Sequence, residues 1–247
     1  MSQMFVKNSV IGAAALSLAM CAVTAQATLL DDGGFDLATS GGTVSNSDWV
    51  LTVNTPDGTN PAAQFQTGFA NANNTGVGGS QPPGTGTGVW FRSFEGNQSG
   101  NGEPLAHADI TQTVIAPVSG DYMLTFVAGR ETNFTAEEFA VTLFSSGTGG
   151  SATVDLLTAL IPNGNIGGAA SGNPGGTMLS LGLLDVTAGD MLTVRGLMVN
   201  GEDSQIPGGQ SAFLDNFSLT SDSAVPVPAS LALFALGLFV FGARRTR

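Results

Sequence analysis

The feature that most constrains this chain is an alternation of period two. In the run Tyr122 to Val127, residues Tyr122, Leu124 and Phe126 take one side of an extended strand and Met123, Thr125 and Val127 the other; from Phe139 to Phe144, Phe139, Val141 and Leu143 alternate with Ala140, Thr142 and Phe144. A strand with one buried face requires that period, whereas a helix requires 3.6 residues. Such runs recur between clusters of Gly, Asn, Ser, Thr and Pro, the residues of turns. The candidate strands are Trp49 to Asn54, Gln64 to Phe69, Val89 to Phe94, Asp109 to Ile115, Tyr122 to Ala128, Glu138 to Phe144, Thr153 to Ile161, Thr177 to Leu184, Met191 to Val199 and Ala212 to Leu219. Strands at this spacing predict an all-β fold, a two-sheet antiparallel β-sandwich of the jelly-roll kind. Loops are expected over 71–88, 96–103, 163–176 and 200–209.

Both ends of the chain are hydrophobic. Met1 to Ala27 has Lys7 as its only charge, an apolar stretch from Val10 to Val23 and then Ala25-Gln26-Ala27. That is the layout of a secretory signal peptide helix, with cleavage leaving Thr28 first. The single cysteine, Cys21, lies within this leader, so the exported chain is expected to have no disulfide and to rely on its core. At the other end an apolar run from Ala229 to Ala243 follows Val225-Pro226-Val227-Pro228 and precedes Arg244, Arg245 and Arg247. At 1.5 Å per helical residue the run reaches about 22 Å, against about 30 Å of hydrocarbon, and becomes barely sufficient if the preceding four residues enter the interface. The terminal arginines mark the cytoplasmic side of a C-terminal transmembrane helix. The expected organisation is a signal peptide (1–27), a β-sandwich domain (28–223) and a tail (224–247).

The tail resembles the PEP-CTERM sorting tail of Gram-negative bacteria. The residues that carry this are Val225, Pro226, Val227, Pro228, Ala229 and Ser230, the apolar run broken by Gly237 and Gly242, and the basic end with Arg244 and Arg245. The resemblance implies a membrane-bound processing partner, an exosortase, in cells that export polysaccharide. The family's Glu between the two prolines is Val227 here, which leaves open whether the tail is removed or stays as an anchor.

The middle of the chain is acidic. All nineteen Asp and Glu residues lie between residues 28 and 223, against only Arg92, Arg130 and Arg195. Such a surface repels phosphate backbones and anionic lipid, which sets nucleic acid aside as a partner. The same balance suits divalent cations or simply solubility. Arg130 and Arg195, in or at the ends of strands, are expected to partner acids rather than ligands.

Further motifs resemble galactose-binding-like and carbohydrate-binding-module jelly rolls. They are Leu30-Asp31-Asp32-Gly33-Gly34-Phe35-Asp36 followed by Trp49, the pair Ile110-Thr111-Gln112-Thr113-Val114 and Gly120-Asp121-Tyr122-Met123-Leu124-Thr125-Phe126, and Phe213-Leu214-Asp215-Asn216-Phe217. If Phe213, Phe217 and Leu219 face the core, Asp215 does too, and a buried carboxylate needs a partner. The resemblance implies a structural calcium joining Asp215 to Asp31, Asp32 or Asp36; the alternatives are that Asp215 caps backbone amides or pairs with an arginine. Trp90 and Phe91 are candidate stacking surfaces for a sugar ring, and equally candidate core residues.

Catalytic chemistry has little to work with. His107 is the only histidine, no cysteine survives export, and no G-x-S-x-G elbow occurs, so zinc and cysteine chemistry are excluded. His107 reads as a surface residue. The expectation is a non-enzymatic protein of the cell envelope or extracellular matrix, structural or adhesive, or alternatively a carbohydrate-binding module for exported polysaccharide.

Overall fold

The structure, a computed structural model, describes residues 28–54, 61–67, 87–93, 106–130, 134–160, 176–201 and 211–222. Its strands are β1 (Val50–Asn54), β2 (Ala63–Thr67), β3 (Thr87–Arg92), β4 (Ala106–Ile115), β5 (Gly120–Arg130), β6 (Glu138–Ser145), β7 (Ser151–Asp155), β8 (Thr177–Val186), β9 (Met191–Gly201) and β10 (Ser211–Ser221). They form two five-stranded antiparallel sheets, ordered β1-β4-β9-β6-β7 and β2-β3-β10-β5-β8. The expected signal-peptide helix and transmembrane helix lie outside the described residues; among those described, no helix is long and apolar enough to cross a membrane.

The period-two reading predicts the inward faces of β5 and β6 correctly. Tyr122, Leu124 and Phe126 are buried in the core between the sheets, as are Phe139, Val141 and Leu143. The sheets approach closely at Gly196 on β9, where an added Cβ would stand 2.5 Å from Leu214 Cδ1 and 3.0 Å from Ile110 Cγ2. Several boundaries differ from expectation: β3 opens at Thr87 and β4 at Ala106, earlier than the alternation gave. The strand expected over Thr153 to Ile161 ends at Asp155, whose Oδ1 accepts the Leu157 N–H at 2.9 Å and caps one turn of helix, α1 (Leu156–Ala159). Strand β9 continues through Asn200 and Gly201, which the sequence had in a loop.

The segment after Thr28 belongs to the core. Leu29 N–H donates to Leu219 O at 2.8 Å and Phe217 N–H to Gly33 O at 2.9 Å, tying the segment to β10. Gln112 on β4 clasps Asp31 from the other sheet, accepting its N–H and donating to its carbonyl, each at 2.9 Å. Phe35 then enters an aromatic cluster, with ring centroids 5.0 Å from Trp49, 5.6 Å from Phe65 and 5.9 Å from Phe217. Each such pair adds about 0.5–1.5 kcal/mol beyond burial, which offsets the left-handed backbone of Phe35 (φ 56°).

The two ends of the sandwich differ. Strand β10 finishes at Ser221 opposite Tyr122, and Asp222 N–H donates to Asp121 O at 2.9 Å. The β4–β5 connection and the start of β9 lie at this same end, since Ile115 pairs with Met191. The sorting tail follows in sequence from here. The opposite end carries Asn54 paired with His107, and Ala106 with Gly201.

Candidate functional site

The acids expected to hold calcium are partly brought together. Asp32 and Asp36 approach Asp215 closely enough to disfavour its charge. Asp215 is 3% exposed, and burial, followed by the repulsion of Asp36 and Asp32, pushes its carboxyl well above the usual range; the Asn216 N–H, donating to its Oδ1 at 2.6 Å, opposes this. Asp32 is also raised, chiefly by burial, against the two amides its carboxylate accepts, Asp36 N at 2.7 Å and Leu37 N at 2.9 Å. Asp31 is exposed, its main chain held by Gln112. Among the described residues no three His, Cys, Asp or Glu form a group that could hold a metal. The oxygen donors suit calcium in kind, but with Asp32 engaged by amides and Asp31 turned outward they do not fit it in arrangement. Asp215 instead caps a backbone amide, one of its two alternatives.

The face assigned to Asp215 is corrected. Leu214, Phe217 and Leu219 belong to the core cluster, whereas Phe213 lies outside it, opposite Trp90 and Gly129. The register of β10 on β5 shifts between Asp215 and Ser218, and Asn216 is left-handed (φ 52°). This bulge inserts a residue and exchanges the faces, so Asp215 shares the face of Phe213 and not that of Phe217.

Trp90 and Phe91 part company. Phe91 is fully buried, its ring 5.3 Å from Phe139 across the core, and has no face for a sugar. Trp90 is half-buried, with the Arg92 guanidinium 4.1 Å from its ring centroid, so that face of the indole is already occupied. Arg130 donates to the Leu157 carbonyl at 2.8 Å.

A cleft that was not expected lies on the outer side of the first sheet. It measures about 330 Å³ and is lined by residues of β1, β4 and β9, among them Asn54, His107, Asp109, Arg195, Leu197 and Val199. The alternation of β4 makes it: Ala106, Ala108, Ile110 and Gln112 point inward, so His107 and Asp109 point out. Arg195 Nε donates to Asp109 Oδ2 at 2.8 Å, and its Nη2 donates to the same oxygen. That hydrogen bond raises the Arg195 pKa further. Asp109 Oδ1 is buried and accepts no hydrogen bond. His107 Nδ1 accepts the Asn200 N–H at 3.0 Å, which in the neutral ring leaves Nε2–H as a donor. Sequence held one signal for this site, the polar His107 and Asp109 at i and i+2, alternating with Ala106, Ala108 and Ile110 on a strand. The arginine that completes it lies 86 residues beyond Asp109.

A model of the PEP-CTERM protein-sorting motif matches residues 224–247. The motif residues Val225 to Ser230, Arg244 and Arg245 lie outside the described residues. No curated protein matches the chain. Among solved structures it is similar to the carbohydrate-binding module TmCBM61, solved with β-1,4-galactotriose (16% identity, 79% of this chain and 99% of that one, TM-score 0.47). It is also similar to the K2 cleaved adhesin domain of Lys-gingipain (16% identity, 76% and 96%, TM-score 0.41). A third is a carbohydrate-binding module of Cellvibrio mixtus lichenase 5A with cellotriose (13% identity, 70% and 98%, TM-score 0.32). The chain thus joins an all-β two-sheet sandwich to a PEP-CTERM protein-sorting motif at its C-terminus, and that motif implies export.

Proposed function

We propose that this protein is exported, sorted to the cell envelope through its tail, and works there as an adhesive component that binds extracellular polysaccharide without transforming it. The observation that carries this reading is the placement of the cleft. It lies around His107 and Asp109 on β4, whereas the chain leaves for its tail from the end marked by Ile115 and Ser221. Asp109 and Ile115 are separated by roughly 20 Å along the strand at about 3.4 Å per residue. A sandwich held by its tail, by an exosortase product or by the membrane itself, therefore presents the cleft outward.

The lining supports binding rather than turnover. Among the described residues Asp109 is the only carboxylate in it, and glycoside hydrolysis needs a pair flanking the bond. Its one histidine is held at Nδ1 by a backbone amide. Whether the working form remains anchored or is released to the matrix is decided by processing of the tail.

The test has two parts. Mass spectrometry of the protein recovered from cell envelope and medium is expected to give an N-terminus near Thr28; an intact leader on a cytoplasmic protein would overturn export. Retention of the purified protein on exported polysaccharide, with no release of reducing ends, is the expected binding result. Turnover of the polysaccharide would replace adhesion with catalysis.

A further inference from the structure

The oxygen that most requires explanation is Asp109 Oδ1, buried in the cleft wall with nothing donating to it. Its partner Oδ2 takes two of the N–H donors of Arg195, from Nε and Nη2, so the ion pair leaves one carboxylate oxygen desolvated and unmatched. A buried acceptor without a donor costs about as much as a lost hydrogen bond, more when it is charged. A donor arriving in the cleft would restore that loss. Around it stand an imidazole N–H, the amide of Asn54, the hydroxyl of Thr52 and the aliphatic side chains of Leu197 and Val199. Convergent donors and acceptors beside a small apolar floor match a sugar ring, which has hydroxyls at its rim and C–H groups on its face.

The charge of the surroundings narrows the class. Arg195, the only arginine among the described residues of the cleft, is already neutralised by Asp109 and lies within reach of Glu138. Asn200, next to His107, donates to Glu137. Of the other two arginines of the domain, Arg92 is buried against Trp90 and Arg130 holds the Leu157 carbonyl. Among the described residues no unengaged cation waits for a ligand carboxylate, while Asp109, Glu137 and Glu138 would repel one.

Resting on the reading of the domain as a polysaccharide binder, we infer that the cleft takes a neutral, hydroxyl-rich polysaccharide and discriminates against acidic ones. Asp109 Oδ1 accepts a ligand hydroxyl, the donors of His107 and Arg195 hold its oxygens, and Leu197 with Val199 contacts its apolar face. Among the described strands β1 is the edge of its sheet, which lets a polymer pass over the cleft without entering by an end.

The experiment uses the full chain in a detergent without a sugar headgroup, and compares one neutral glucan or galactan with its C6-carboxylated derivative by affinity electrophoresis and calorimetry. The neutral polymer is expected to bind at least about tenfold more tightly, with little dependence on salt. Asp109→Asn is expected to lose roughly tenfold or more of that binding, since the orphaned acceptor becomes an amide. Leu197→Trp, which fills the cleft without touching the ion pair, gives a second route to the same loss if the first variant folds poorly. Thr153→Ala on β7 is expected to bind as the parent. Equal or tighter binding of the carboxylated polymer overturns the neutral class and leaves polysaccharide binding standing. Full neutral binding in both cleft variants overturns the site. Failure of the parent chain to bind any polysaccharide removes the reading on which the inference rests.

Discussion

Gly33 and Phe217 meet main chain to main chain: the Phe217 N–H donates to the Gly33 carbonyl at 2.9 Å, and a Cβ on Gly33 would stand only 1.9 Å from the Phe217 oxygen. The segment that follows the expected cleavage site is therefore laid directly on the last strand, at the bulge that carries Asp215. Phe35, two residues on, enters the aromatic cluster with Trp49 and Phe217 from this contact.

Replacing Gly33 by Ala is expected to destabilise the domain, since the obstacle is backbone and cannot rotate away. The cost expected for overpacking is about 1–3 kcal/mol, a fall in Tm of roughly 2–12 °C for a domain of this size. Thermal unfolding followed by circular dichroism checks it; an unchanged Tm would mean that the N-terminal segment is not docked as described.

Asp215→Asn is expected to raise stability at neutral pH. The folded-state pKa of Asp215 is raised, so the folded protein holds its proton more tightly than the unfolded chain. Stability from this group is complete below the unfolded value near 3.9 and is lost as pH rises through the folded value. Asp32 is shifted the same way and adds the same sign. The measurement is the Tm difference between variant and parent from pH 4 to pH 8, expected to grow with pH and to be the same in calcium and in chelator. A calcium-dependent Tm that vanishes in Asp215→Asn would instead restore a cation among these acids.

Arg195→Gln is expected to change stability by less than about 1 kcal/mol, because the side chains of the Arg195–Asp109 pair are 45% and 30% exposed and water screens them. Chemical denaturation reads this. A loss of several kcal/mol would show that the pair is structural and not part of an accessible cleft.

Phe91→Ala and Trp90→Ala are expected to behave differently despite their adjacency. Phe91 is fully enclosed, and its truncation costs about 3–5 kcal/mol, or roughly 6–20 °C in Tm. Trp90→Ala removes a half-exposed ring and its contact with Arg92, and is expected to cost less. Neither is expected to alter polysaccharide binding so long as the variant remains folded. Loss of binding by a stably folded Trp90→Ala would move the site to the other sheet.

What could be read without coordinates was whatever repeats locally. Alternation named all ten strands and the inward residues of β5 and β6, because side chains of a strand swap sides at every step whatever the strand packs against. The basic end after an apolar run and a proline pair marked the tail for the same reason, its signal being contiguous. Asp215 escaped this logic because the left-handed Asn216 inserts a residue, and a bulge exchanges faces without leaving a mark in composition. For Phe91 and Trp90 the choice between core and platform depends on what lies across the sheet, which no local pattern encodes. The cleft belonged wholly to tertiary structure. It needs β1 and β9 on either side of β4, bringing Asn54, His107 and Arg195 together, and strand order is set by which sheets bury the most apolar surface rather than by any neighbour in the chain.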